Sequence, residues 1–444
     1  MRINSKNLFL LLVDVVAFYA ALFLSLLVRT GQSFSLDQYG PHFKPFSLLL
    51  FVWLLIFYIV GLYDLRNFSK RIAYLKIFFM GVLVALAVSP IFFYLYPSLN
   101  IAPKSILILL SIFFGLISYY LRELIDRYYL GSKAILKVSI IGKGGDVTEL
   151  INYLRENPQM GYKVDLWISD YINEDIPDLI RKREVDVVVV PSKLRNDKRL
   201  VSEIYRELLK GVDVVSFSEF YETVFGKVSM DELEENWFLE KIKPRDGFYL
   251  FTKRLGDIFL ALFIFLVTLI FWPITALIIK LSSKGSVFFM NKRVGLREKN
   301  FMVYKFRTMS DGSDKFEKIG ENFGVQKNDG RVFGFGKILR KLRIDEWPQV
   351  INILKGELSF VGPRADFIDF YYFLKEKIPH YQIRTILLPG LTGWAQVHDK
   401  FGSSVEDTRE RLAYDIYYIK NRSFVLDFVI GLKTLKTIFT FSGM

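Results

Sequence analysis

Cysteine is absent from the 444-residue sequence, and histidine occurs only at His42, His380 and His398. Disulfides, thiolate zinc sites and cysteine nucleophiles are thereby excluded, and little remains for a Ser/His nucleophile system. Any acid, base, nucleophile or metal chemistry therefore falls to carboxylates. Acidic residues are in deficit as well: 46 Asp+Glu face 59 Lys+Arg, a net charge of +13. That balance suits nucleic acid, anionic lipid headgroups or phosphorylated substrates, and does not choose among them. What is abundant is apolar, with 52% hydrophobic and 16% aromatic residues. This is too greasy for an ordinary soluble protein, yet it is broken by charged stretches too polar for lipid. The chain reads as part membrane and part water-soluble, in two or three units. A nucleic-acid partner would explain the charge but not the apolar segments, so none is expected.

Four apolar stretches open the sequence, roughly Leu8 to Val28, Phe46 to Leu62, Ile77 to Leu95 and Ile106 to Leu121. Each approaches the roughly 20 residues that a bilayer core requires, and they define a four-span region over 1–130. The first lacks a small-residue cleavage pattern and reads as a retained span. Asp14 within it is either a functional intramembrane carboxylate or a packed or snorkelling one. Arg2 and Lys6, then Arg66, Lys70, Arg71 and Lys76, then Arg122, Arg127, Lys133 and Lys137 place the N-terminus, the second loop and everything after Leu130 on the cytoplasmic side.

Residues 131–245 read as a Rossmann-like parallel α/β domain. Ile135 to Ile141, Val164 to Ile168, Val185 to Val190 and Val212 to Phe217 are short buried strands, separated by helical segments such as Lys198 to Lys210. Gly142-Lys143-Gly144-Gly145 follows the first strand where a phosphate turn would sit, but Val147 occupies the third glycine position of G-x-G-x-x-G. Nucleotide binding and a structural or regulatory role both remain open.

Within 246–444, the segment 255–281 is again long enough to span. It carries Trp272-Pro273 past its middle, and proline inside a helix predicts a break. Lys253 and Arg254 precede it, and Lys280, Lys284, Lys292 and Arg293 follow it, so both ends carry the inside signal. The expectation is a re-entrant helix that enters and leaves on the cytoplasmic side; the alternative is a kinked fifth span.

The stretch Leu339 to Gln349 contains Asp345-Glu346-Trp347-Pro348 among basic residues. Proline tolerates only a helix's first turn, so a helix is expected to begin near Asp345. Backbone N–H groups there would favour phosphate oxygens, and the paired carboxylates would hold a divalent cation. A lone Asp-Glu pair is ordinarily only a helix cap. Lys305 and Arg307 lie on one face of the expected strand from Phe301 to Met309, as two phosphate-binding cations would.

From about Arg254 onward the chain resembles the bacterial sugar transferases, the polyprenyl-phosphate hexose-1-phosphate transferases. The matching blocks are Tyr304 to Met309, Asp345 to Gln349 with Leu354 to Glu357, Val361-Gly362-Pro363-Arg364, Pro389 to Val397, and Asp415-Ile416-Tyr417-Tyr418. Large members of the family also carry about four spans and a Rossmann-like domain. Two departures stand out: Ala365 replaces a proline, and His398-Asp399-Lys400 stands where a glycine and an arginine are common. The resemblance implies an inner-membrane enzyme that acts at the cytoplasmic face on a UDP-sugar and undecaprenyl phosphate with Mg2+. Asp345 would be the nucleophile and Glu346 its metal-binding neighbour. Lys305, Arg307, Arg340 and Arg364 would steady diphosphate charge. Lys400 would supply the missing cation, and Asp415 is a further carboxylate of the site.

The fold class implied is a membrane protein, α plus α/β: a four-helix transmembrane region, a Rossmann-like domain and a catalytic domain with a re-entrant membrane helix and interfacial helices. For the last segment, Val425, Phe428, Val429, Leu432, Leu435 and Phe439 share one face, which suits either the interface or packing on the core. A membrane-bound NAD-dependent nucleotide-sugar dehydratase and a non-catalytic polysaccharide-assembly scaffold are the alternatives. The first lacks an intact glycine turn and a Tyr-x-x-x-Lys pair. A homo-oligomer remains possible, and the sugar is undetermined.

Overall fold

The computed structural model describes residues 5–31, 36–60, 62–63, 71–95, 104–125, 135–169, 175–191, 198–209, 211–242, 247–309, 331–398 and 404–439. The chain divides into two compact units, Met1–Thr223 and Val224–Met444.

The first unit opens with helices α1 (Ser5–Thr30), α2 (Leu36–Val60), α3 (Arg71–Leu95) and α4 (Lys104–Ile125), all four long and apolar enough to cross a membrane. Lipid gives no hydrophobic drive between helices, so close packing and polar contacts must hold them together. The packing is aromatic: the Trp53 ring meets Phe18 at 5.3 Å and Phe114 at 5.4 Å, edge to face. Phe51, Leu83, Ile108 and Leu116 turn outward, as a lipid-facing surface requires. Asp14 is fully buried and packed. Its carboxylate accepts from Arg122, from Tyr63 Oη at 2.8 Å and from Ser118 Oγ at 2.7 Å. Arg122, expected to flank the span as a topology signal, is thus spent inside the bundle.

The α/β part follows the expected strands closely: β1 (Leu136–Ile141), α5 (Gly145–Glu156), β2 (Tyr162–Ile168), α6 (Ile176–Arg183), β3 (Val187–Val190), α7 (Lys198–Leu208), β4 (Asp213–Ser216) and α8 (Phe217–Phe225). All strand pairs are parallel, in the order β2-β1-β3-β4. That is the flavodoxin-like order, not the 3-2-1-4 start of the dinucleotide fold. At the glycine turn, Gly142 has φ 119° with no room for a Cβ beside the Pro191 ring, and Trp167 Nε1 donates to its carbonyl at 2.9 Å. Asp146 in the first turn of α5 sets negative charge where a phosphate would bind.

The second unit begins before the expected boundary at 245. Val228 N donates to Ala413 O at 3.2 Å, and Trp237 of α9 (Glu235–Lys241) is buried in the same core as Leu412 and Ile416. α10 (Gly247–Leu269) and α11 (Trp272–Ser282) meet at a 60° bend. Pro273 falls in the first turn of α11, where its missing N–H costs nothing. Next come β5 (Phe288–Val294), β6 (Asn300–Phe306), α12 (Gly334–Lys341), α13 (Gln349–Lys355), β7 (Ser359–Val361), α14 (Ile368–Lys377), β8 (Gly390–Thr392), α15 (Val405–Asn421) and α16 (Phe424–Phe439). β5 and β6 form an antiparallel hairpin, and β7 pairs with β8 in parallel. On α16, Leu426 and Ile430 enter the core while Phe424, Val425, Phe428 and Leu435 stay exposed.

Candidate active site

Asp345 and Glu346 lie in a 3-10 turn, Ile344–Glu346, and α13 begins only at Gln349. The pair therefore sits a turn ahead of the helix instead of in it, and the positive charge around it comes from side chains. Arg343 enters that turn with φ 53° and ψ 23°, a left-handed conformation uncommon for a residue with a side chain. This turns its guanidinium back toward Glu346 Oε2, 3.4 Å away. Lys305 arrives from β6 and donates to Glu346 Oε1 at 2.9 Å.

Asn352 sets the distance between β6 and the acidic turn. Fully buried, it accepts from Tyr304 N at 3.1 Å and donates to Met302 O at 2.6 Å and to Glu357 Oε2 at 2.7 Å. Every hydrogen-bonding position that matters is filled, so the strand carrying Lys305 is stapled to α13.

The two carboxyls differ in environment. Burial pushes Asp345 up to about 6, an effect reinforced by Glu346 and opposed by Lys305, Arg340 and Arg343. Burial also pushes Glu346 up, but Lys305, Arg364 and Arg343 outweigh it and hold the group at about 2. Glu346 is thus a fixed anion clamped by cations. Asp345 is buried, with no hydrogen bond to its carboxylate among the described residues. A carboxylate left unengaged in a cationic surround can attack an electrophile or bind a cation.

Of the other expected residues, Arg340 donates from Nε to Thr308 Oγ1 at 2.9 Å and bears on Asp345 electrostatically. Arg364 follows β7 and bears on Glu346. Arg307 departs from expectation. β6 ends at Phe306, and the Arg307 guanidinium donates to Ser283 O at 2.7 Å, at the end of α11. Asp415 is buried on α15 and accepts from Arg384 Nε at 2.8 Å. Arg384 also meets Asp366 and donates to Arg364 O at 3.0 Å, so Asp415 anchors the loop that presents Arg364. Lys400 lies outside the described residues.

Three residues escaped the sequence reading as site builders: Arg343, Asn352 and Arg293. Arg293 looked like a membrane-flanking cation but is buried, donating to Ala365 O and lying 4.2 Å from the Phe367 ring centroid. Burial and the neighbouring Arg364 push it down to about 10. Its penultimate place in β5, next to outward Lys292, was the available signal, since alternation turns one of the pair inward.

A shallow pocket bordered by Gly295, Arg364, Asp366, Tyr371, Arg384 and Pro389 opens beside the Arg364 loop. β8 supports that loop from below, because Gly390 N donates to Pro363 O at 2.8 Å. Among the described residues no cluster of three or more His, Asp or Glu side chains exists that would hold a metal by itself.

A family model described as bacterial sugar transferase matches residues 248–441. Over 276 residues the chain is 41% identical to a UDP-N-acetylgalactosamine-undecaprenyl-phosphate N-acetylgalactosaminephosphotransferase of Aeromonas hydrophila, covering 61% of this chain and 62% of that protein. It is 32% identical over 290 residues to a UDP-glucose:undecaprenyl-phosphate glucose-1-phosphate transferase of Xanthomonas campestris pv. campestris, covering 64% of this chain and 54% of that one. The chain thus spans less than two thirds of either relative's length. An uncharacterized sugar transferase of Bacillus subtilis (strain 168) is 35% identical over 192 residues, 43% of this chain and 89% of the relative.

Proposed function

Because the chain belongs to the bacterial sugar transferase family, we propose that it transfers a sugar 1-phosphate from a UDP-sugar to undecaprenyl phosphate at the cytoplasmic face of the inner membrane, releasing UMP. The observation that carries this reading is the unengaged, buried Asp345 carboxylate beside the clamped Glu346.

In the first half-reaction an Asp345 oxygen attacks the sugar-linked phosphorus. A new P–O bond forms as the bond to the UMP oxygen breaks, and UMP leaves with the electron pair. Lys305, Arg340, Arg343 and Arg364 supply positive charge where the transferring and leaving phosphates gather negative charge. In the second half-reaction an oxygen of the lipid phosphate attacks the same phosphorus, and the Asp345 carboxylate is released. Asp345 and Glu346 would hold Mg2+; a magnesium ion takes one or two carboxylates and completes its shell with substrate phosphate oxygens and water, and the Asp345 carboxylate, with no hydrogen bond among the described residues, is the one open to it. That cation would neutralise diphosphate charge.

The bent pair α10 and α11 supports a re-entrant hairpin that sets this chemistry at headgroup depth. Eleven residues give α11 a length of about 16 Å, half a bilayer core. Both ends dock on one body: Arg254 donates to Ile353 O at 2.6 Å and Leu354 O at 3.0 Å, and Ser283 O accepts from Arg307. The absence of cysteine makes topology easy to read. A single Lys377→Cys, on the exposed end of α14, should resist an impermeant thiol reagent in intact cells and react after lysis. Labelling in intact cells would put α14 outside and end the re-entrant reading.

Activity is tested by UMP release from a panel of UDP-sugars, including UDP-glucose and UDP-N-acetylgalactosamine, with Mg2+ and undecaprenyl phosphate. Lipid-dependent UMP from one donor supports the reading, and silence across the panel rejects it. Since attack needs the carboxylate, lowering the pH through about 6 should protonate Asp345 and cut UMP release about tenfold per unit. Saturating Mg2+ moves this limb to lower pH, because a nearby cation favours the charged form. A profile that stays flat down to pH 4 at sub-saturating Mg2+ would contradict the role of Asp345.

A further inference from the structure

Arg307 is 6% exposed, and only one of its three guanidinium nitrogens has a hydrogen-bond partner: Nη2 donates to the backbone carbonyl of Ser283, whereas Nε and Nη1 are enclosed without any among the described residues. Leaving donors of a buried cation unmatched is costly, and native structures seldom do so without a reason. Arg384, buried in the same unit, shows the ordinary arrangement, with two carboxylates and a carbonyl around it.

The position of Arg307 indicates which anion it awaits. Its backbone N donates to Val287 O at 2.9 Å and its side chain meets Ser283, the C-cap of α11, so it sits where the apolar half-helix ends. Around that exit Lys280 and Lys284 are exposed, as are Leu281 of α11 and Ile338 and Leu342 near α12. Exposed apolar side chains interleaved with lysines fit a lipid interface, with the acyl or prenyl region on one side and phosphates on the other. The residue following Arg307, Thr308, accepts from Arg340, which acts on Asp345. Arg307 thus stands between the membrane exit and the nucleophile.

Resting on the function proposed above, we propose that Arg307 binds the phosphate monoester of the lipid acceptor, using the two unpartnered nitrogens, and takes no part in holding the donor diphosphate. In the second half-reaction an oxygen of the bound monoester dianion forms the new P–O bond, the P–O bond to Asp345 breaks, and its electron pair returns to the Asp345 carboxylate. No proton has to move.

The test compares full-length protein in lipid nanodiscs with its Arg307→Lys and Arg307→Gln variants, using the UDP-sugar that supports turnover and undecaprenyl phosphate. UMP released in a single turnover without lipid reports the first half-reaction; the KM for undecaprenyl phosphate reports the second. The expected result is a lipid-free burst within twofold of the unmodified protein, an unchanged KM for the UDP-sugar, and a KM for undecaprenyl phosphate raised about 10- to 100-fold, as loss of charge-assisted hydrogen bonds predicts. Lys, which keeps the charge but not the fork, should be less affected than Gln. A burst that falls in step with turnover in both variants would assign Arg307 to the donor or to the fold, and an unchanged lipid KM would remove it from the acceptor site; either overturns the proposal. If the unmodified protein itself gives no UMP, the function reading fails first, which separates the two.

Discussion

Asp345→Asn should abolish UMP release, by at least about 10³-fold, with the protein still folded. The substitution is nearly isosteric and acts where the carboxylate makes no hydrogen bond among the described residues, so little structure depends on it. It replaces a buried anion by a neutral amide in a surround containing Lys305, Arg340 and Arg343, which leaves those cations still paired through Glu346 and Thr308. An amide oxygen neither attacks phosphorus at a comparable rate nor leaves as a carboxylate. The measurement is single-turnover UMP release without lipid, beside a thermal unfolding profile. Near-normal release with an unchanged profile would rule out Asp345 as nucleophile; lost release with a collapsed profile would assign it to the fold.

Gly390→Ala should be the most damaging single-methyl change in the C-terminal unit, costing about 3 kcal/mol or more. A Cβ at Gly390 would overlap the backbone N and O of Gly362, where the parallel pair β7 and β8 brings Ser359 opposite Gly390. Backbone atoms cannot step aside as a side-chain tip can. Gly393 meets Gly362 O in the same way, so the loop Pro389 to Val397 and the block Val361 to Arg364 are held in contact by missing side chains. Relief would require β8 to move off β7, taking with it the support for Pro363 and the Arg364 loop. The expected readout is a fall of several degrees in the unfolding temperature together with a raised KM for the UDP-sugar. Native stability in Gly390→Ala would mean that the two segments do not approach as described.

The four apolar stretches and the parallel strands were legible because each is a local pattern: a run of about 20 apolar residues, or a short run of β-branched ones between turns. The break at Trp272-Pro273 was legible for the same reason, since proline acts on its own helix turn. Strand order was not, because the path by which β2 and β3 flank β1 leaves no mark on the residues of either strand.

In the site, sequence established which charges exist: the Asp345-Glu346 pair, the basic residues near it, no cysteine and only three histidines in the chain. Tertiary structure decided what each charge does. Arg122 and Arg293, alike on paper as flanking cations, are both buried, one on Asp14 and the other on Ala365 O. Lys305 and Arg307 share a strand face by alternation, yet the strand ends between them, so one clamps Glu346 and the other turns to the end of α11. Asp415, grouped with the site by its motif, holds Arg384 and through it the Arg364 loop. Residue type sets the charge of a group, but its partner and its solvation depend on chain segments tens of residues away, and these meet only in the folded protein.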